Sequence, residues 1–80
     1  MKISIIEENI KKVVSDAIIN VVDTNGNGDH FSVTVISNRF NGLTLVDRHK
    51  LIYQALNKYL KNEIHALQLK TMTNEEHKNG

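Results

Sequence analysis

The sequence predicts an α+β fold, a two-layer sandwich built in the order helix, strand, strand, helix, strand, with a short helical turn at its end. Two segments repeat apolar residues every three or four positions, as one face of a helix requires. Three others alternate apolar with polar residues or concentrate branched ones, as half-buried strands do, and an Asn/Gly-rich reversal joins the first two. Eighty residues, 40% hydrophobic and 24% charged, make one such domain, near the size at which a single core only just offsets chain entropy.

The first helix is expected to open at Ser4-Ile5-Ile6-Glu7, a capping-box pattern with Ser4 as N-cap, and to close near Asp16. Ile6, Ile10, Val13, Val14 and Ala17 form its apolar face, while Glu7, Glu8, Lys11 and Lys12 take the other. The branched run from Ala17 to Asp23 reads as a strand buried on at least one face. Thr24-Asn25-Gly26-Asn27-Gly28-Asp29 then supplies Asn and Gly where a tight reversal needs positive φ. It lacks the spacing of a P-loop or dinucleotide fingerprint, and a hairpin turn accounts for its glycines. Beyond it Phe31, Val33, Val35 and Ser37 alternate with Ser32, Thr34 and Ile36, a second strand antiparallel to the first.

Asn38 to Gly42 break that strand, and Thr44, three residues before Asp47, starts the main helix. Its apolar stripe is Leu45, His49, Ile52, Leu56, Tyr59 and Leu60; Ala55 permits close approach to the sheet, and Asn62 is the expected stop. Alternation resumes in His65-Ala66-Leu67-Gln68-Leu69, so a third strand is expected from His65. Thr73-Asn74-Glu75-Glu76 is a further capping box. Residues 1–73 thus read as a single domain, and 74–80 as a short helical turn with a frayed polar tail.

The formal net charge is +1 and the pI near 8.1, short of the pI of about 9 or more expected of a dedicated nucleic-acid binder. The cations are nevertheless unevenly spread. Between residues 39 and 61, Arg39, Arg48, Lys50, Lys58 and Lys61 face only one acid, Asp47, so the main helix and its approach carry a basic stretch. The N-terminal segment turns acidic at Glu7-Glu8 where a secretory signal has its apolar core, and no apolar run approaches the ~20 residues of a membrane span. The expectation is a cytoplasmic protein without membrane association. Zero cysteines exclude a disulfide framework and a thiolate metal site within the chain.

His30, His49 and His65 stand at the edges of the apolar segments. Neutral imidazole is a common ligand for borderline metals, whereas iron-sulfur clusters are normally held by thiolates. A cysteine-free chain therefore supplies at most part of a cluster's coordination. On residues alone His30 reads equally as a solvated loop histidine, and His65 as a strand-start residue bonded to a carbonyl. His49, on the helix stripe, reads as a core-edge histidine satisfied by a carbonyl or by Asp47.

Gly28-Asp29-His30-Phe31, Arg39-Phe40-Asn41-Gly42-Leu43, Arg48-His49-Lys50 and Ile64-His65-Ala66-Leu67, in this order, closely resemble the signature of the BolA family. The resemblance runs from the first helix to Thr73. It implies a fold similar to class II KH domains and a non-enzymatic role as partner of a monothiol glutaredoxin with glutathione. It further implies shared ligation of a two-iron two-sulfur cluster, in cluster trafficking or iron sensing, with no cofactor in the isolated chain. Carried over by position, His65 corresponds to the family's C-terminal ligand histidine and His30 to the loop histidine that some members replace with cysteine. Arg48 and His49 correspond to its Arg-His pair, structural or partner-facing. The chain departs from the family at Asn74 and His77, where a proline and an aromatic are common.

Other readings stay open. A nucleic-acid-binding transcriptional regulator would use Arg48, Lys50 and Arg39, although the Gly-x-x-Gly loop of a KH domain is absent between the helical segments. An autonomous zinc site would gather His30, His49 and His65. DNA as a partner and a homodimer are both compatible with the sequence.

Overall fold

In a computed structural model covering residues 1–80, a single strand at the centre of the sheet supplies three of the eleven core residues. This is β2 (His30–Ile36), the middle of a three-stranded sheet ordered β1-β2-β3. Its alternation places Phe31, Val33 and Val35 on one face, each at most 1% exposed. Ser32 and Thr34 take the other face and are partly exposed. β1 (Ile18–Asp23) lies antiparallel to β2, with Val21 opposite Val33 and Asp23 opposite Phe31. β3 (Ala66–Met72) lies parallel to it on the other edge, with His30 opposite Ala66 and Ile36 opposite Met72.

A parallel neighbour requires a crossover, and α2 (Leu45–Leu60) supplies it. α1 (Ile3–Val13) lies beside α2 on the same face of the sheet. Ile6, Ile10 and Val14 from the first helical segment and Ile52 and Leu56 from the second meet Phe31, Val33 and Val35 in one cluster closed by Ala17, Phe40 and Ile64. The opposite face keeps Asn20, Val22, Gln68 and Lys70 exposed. The architecture is thus the expected two-layer α+β sandwich, in the expected element order.

Local chemistry sets the element ends. The hairpin loop turns on Gly26 and Gly28, both at positive φ (77° and 76°), and the Asp23 carboxylate accepts from both of their amides at 2.9 Å. Thr44 caps α2 by accepting from the Asp47 amide at 3.1 Å. Thr73 and Glu76 form the full reciprocal capping box that starts α3 (Asn74–Asn79).

Four expectations require correction. α1 begins at Ile3 with Lys2 as its N-cap and no side-chain cap, because the Lys2 carbonyl already accepts from the Ile5 amide; Ser4 lies inside the first turn and caps nothing. α1 also stops at Val13 rather than near Asp16, Val14 leaving helical geometry at ψ 81° while keeping its side chain buried. β3 starts at Ala66, since His65 spends its amide on the Asp29 carbonyl ahead of the ladder. Leu45 is 61% exposed, because the stripe begins to face the sheet only after the first turn of α2.

Leu56 is fully buried between α2 and the sheet, and Ile18 is 64% exposed on an edge strand. Leu56→Ala is therefore expected to lower unfolding free energy by about 2–5 kcal/mol in urea titration. Ile18→Ala is expected to stay within roughly 0.5 kcal/mol of the parent.

Candidate functional site

Parallel pairing of β2 with β3 brings the first residue of one beside the first residue of the other, and so joins two histidines 35 positions apart in sequence (65 − 30). His30 opens β2 and His65 immediately precedes β3. Their ring centroids lie 6.2 Å apart at 84°, edge to face. Both rings are accessible, with side-chain exposures of 41% for His30 and 64% for His65.

Between them stands Asp29. Its Oδ1 lies 2.8 Å from His30 Nδ1, and its Oδ2 lies 3.3 Å from His65 Nδ1. Its backbone carbonyl accepts from the amides of His65 (2.8 Å) and Ala66 (3.3 Å), which ties the hairpin loop to the start of β3. Asn25 Nδ2 donates to Oδ1 at 3.2 Å and crowds His30 Nδ1 at 2.9 Å. An ionised carboxylate only accepts, so the Asp29 contact places the His30 proton on Nδ1, and Asn25 then serves the carboxylate rather than the ring. The hydrogen bond from His30 chiefly holds the Asp29 carboxyl below its ordinary range; the Asn25 amide and the charges of the two histidines act in the same direction, against some desolvation. Asp29 and Asn25 had no place among the site residues expected from sequence. The available signal was a carboxylate immediately before the loop histidine.

The donor set suits a shared metal centre better than a self-sufficient one. His30, held at Nδ1 by the carboxylate, presents Nε2 on the other side of the ring, the arrangement in which histidine commonly ligates metals, and the exposed His65 ring lies beside it. No group of three or more His, Cys, Asp or Glu side chains in the chain is disposed to hold a metal ion. The three-histidine zinc arrangement fails because α2 runs back against the strands. His49, in the first half of α2, therefore lies toward the opposite end of the sheet from His30 and His65.

His49 contacts Tyr53 edge to face, with ring centroids 6.2 Å apart. Its Nε2 is buried without a hydrogen-bond partner, so neither a carbonyl nor Asp47 satisfies that nitrogen. Asp47 is two residues away, a spacing that turns side chains to different faces of a helix. Thr71 Oγ1, on β3, is a second buried polar atom without a partner.

Arg48 is largely enclosed, its side chain 12% exposed. Its Nε donates to the Leu43 carbonyl at 3.0 Å, its Nη1 and Nη2 donate to the two Glu76 oxygens at 2.6 and 3.3 Å, and its guanidinium lies 5.9 Å from the Phe40 ring centre. Arg39 and Lys50 are exposed. Arg48 thus anchors α3, with a further bond from the Asn74 amide to Asn38 Oδ1 at 3.3 Å. These contacts hold the terminal helix in the absence of the proline and aromatic expected there.

Arg48, followed by the Thr73 amide, holds the Glu76 carboxyl below its ordinary range. A folded-state pKa below the unfolded one gives stability that is fully present above the ordinary glutamate range and fades as pH falls through the depressed value. On acidification, the Cα chemical shifts of residues 74–79 are expected to lose helical character before those of α2. In Glu76→Gln that acid-dependent step should disappear, with α3 already weakened at neutral pH.

No helix is long and apolar enough to cross a membrane. Compared with known proteins, residues 2–76 match the family described as BolA-like protein. The DNA-binding transcriptional regulator BolA of Escherichia coli is 35% identical over 78 aligned positions, covering 89% of this chain and 74% of that protein. Its namesake from Vibrio cholerae is 45% identical over 65 residues, 81% of this chain but 60% of the relative, so this chain spans less than two thirds of that protein. Among solved structures, BolA1 from Arabidopsis thaliana superposes with a TM-score of 0.83 at 30% identity, covering 91% of this chain and 92% of that one.

Proposed function

The chain belongs to the BolA-like protein family, and on that premise we propose that it is a non-enzymatic partner of a monothiol glutaredoxin with glutathione, sharing ligation of a two-iron two-sulfur cluster in cluster trafficking or iron sensing. The observation that carries this reading is the pairing of His30 and His65 at one exposed corner of the sheet, with both rings engaged through Nδ1. Thiolates are absent from the sequence, so the sulfur ligands arrive with the partner. The cluster is the shared cargo, and imidazole ligation in place of thiolate makes it less negative and raises its reduction potential. This chain's part is to dock, to present two neutral nitrogens and to limit water access. Its carboxylate-histidine contacts serve positioning.

A second reading rests on the names of the relatives, which are called DNA-binding transcriptional regulators. In this chain it would rely on Arg39 and Lys50, both exposed, because Arg48 is committed to Glu76. Salt-dependent retention on DNA that weakens in Arg39→Gln and Lys50→Gln, with the salt slope falling by about one for each phosphate no longer neutralised, would favour it.

The decisive measurement for the first reading is the visible spectrum on mixing with a cluster-loaded monothiol glutaredoxin. Wild-type protein is expected to change that spectrum, His65→Ala to abolish the change and His30→Ala to diminish it. A wild-type protein that leaves the spectrum unaltered would sink the proposal.

A further inference from the structure

We propose that Asp29 is the positioning residue of the histidine corner: its carboxylate grips the His30 imidazole at Nδ1 and thereby leaves Nε2 of that ring unprotonated for ligation, while its backbone carbonyl holds His65 alongside. The geometry supports this from two directions. The side chain offers one oxygen to each ring, Oδ1 to His30 at 2.8 Å and Oδ2 to His65 at 3.3 Å. The backbone carbonyl of the same residue accepts from His65 and Ala66. Asp29 therefore fixes both the approach of the two chain segments and the rotation of the His30 ring.

The chemical consequence lies in the tautomers. A carboxylate accepts and never donates, so the His30 nitrogen bonded to it carries the proton, and the neutral ring then has its lone pair on Nε2. His65 Nδ1, 3.3 Å from the second oxygen, meets the carboxylate as a charge without a hydrogen bond. A free imidazole in water favours the opposite form, with the proton on Nε2. Without Asp29 the His30 ring would have to change tautomer and stop rotating before it ligated through Nε2. Asn25 and Asp23 complete the support. Asn25 steadies the carboxylate through its Nδ2, and Asp23 holds the loop through the Gly26 and Gly28 amides. Outer-shell carboxylates of this kind typically change metal affinity by about ten- to a hundredfold when removed.

The assignment rests on the shared-ligation reading only for what the Nε2 atoms bind; the hold on the rings is a property of the isolated chain. It is tested first on that chain, by long-range nitrogen-proton correlation of the imidazoles at a pH well above the ordinary histidine range. Wild-type His30 is expected as the Nδ1–H tautomer, and Asp29→Ala should return it to the Nε2–H form, with His65 as the internal reference. In Asp29→Asn the neutral amide accepts more weakly than the carboxylate, so the Nδ1–H share of His30 should fall between wild type and Asp29→Ala. Amide spectra establish that each variant is folded, and Asp29→Asn, which preserves size, decides the matter should Asp29→Ala unfold.

The second readout is titration with cluster-loaded monothiol glutaredoxin, followed in the visible. Asp29→Ala and Asp29→Asn are expected to need about ten- to a hundredfold more protein for the same spectral change. Unaltered tautomers in the variants overturn the proposal, and so do altered tautomers with cluster binding equal to wild type. Wild-type His30 in the Nδ1–H form but no spectral change refutes shared ligation instead, and leaves the Asp29 hold on His30 standing as a property of the fold.

Discussion

The parallel pairing of β2 with β3 is the constraint on which the rest of the molecule depends. It sets His30 opposite Ala66 and so brings His65 to the same corner. Because side chains alternate with a period of two, a slip of one residue would turn Phe31, Val33 and Val35 out of the core and send Ser32 and Thr34 in. Core register and site register are therefore the same quantity. The burial that specifies β2 also specifies the distance between two histidines that contribute little to burial themselves. The crossover through α2 follows from the same pairing, since parallel strands cannot be joined by a tight turn.

Hydrogen bonding then converts a corner of the sheet into an ordered site. Asp23 satisfies two loop amides, Asn25 Oδ1 accepts from the Asn27 amide, and Asp29 spans the gap to β3 with its carbonyl. The N-terminal ammonium of Met1 adds a bond to the Gly28 carbonyl at 2.9 Å, so polar contacts from the loop itself, from β3 and from the N-terminus hold it. That division suits a ligand-bearing corner. The rings remain exposed for a partner, while the backbone beneath them is tied to the strand that the hydrophobic core holds most firmly.

Much of this organisation is legible in the sequence, and for identifiable reasons. The hairpin is readable because positive φ selects Gly, the terminal helix because Thr73 and Glu76 are three apart, and β2 because its alternation is strict. Ser4-x-x-Glu7 has the spacing of a cap but not its role: a capping pattern says where a helix can start, and the Lys2 carbonyl begins this one earlier. Long-range side-chain partners are not written in periodicity. Arg48 reads as part of a basic face, yet its partner Glu76 is 28 residues away and turns it into an anchor. Asp29 reads as a turn residue because its second histidine is brought to it by strand pairing alone. The pairing of His30 with His65 was available through family resemblance, because the residue pattern does not say which strands are neighbours, and the carboxylate joining them was available through neither pattern nor resemblance.

The two functional readings occupy opposite ends of the same scaffold. His30 and His65 lie where β2 and β3 begin, whereas Arg39 follows the end of β2 and Lys50 lies in the first half of α2. Seven residues of β2 separate these ends, a span of roughly 20 Å at the rise of an extended chain. The two sets of side chains therefore stand at different ends of β2. Any influence of one on the other would have to pass through β2 and α2, which a close-packed core holds together as one body. With Arg48 tied to Glu76 and Phe40, the basic end is also the end where the terminal helix is clamped. Binding there would compete with, or draw upon, the anchor of α3, while binding at the histidine corner would meet only the loop and its carboxylate.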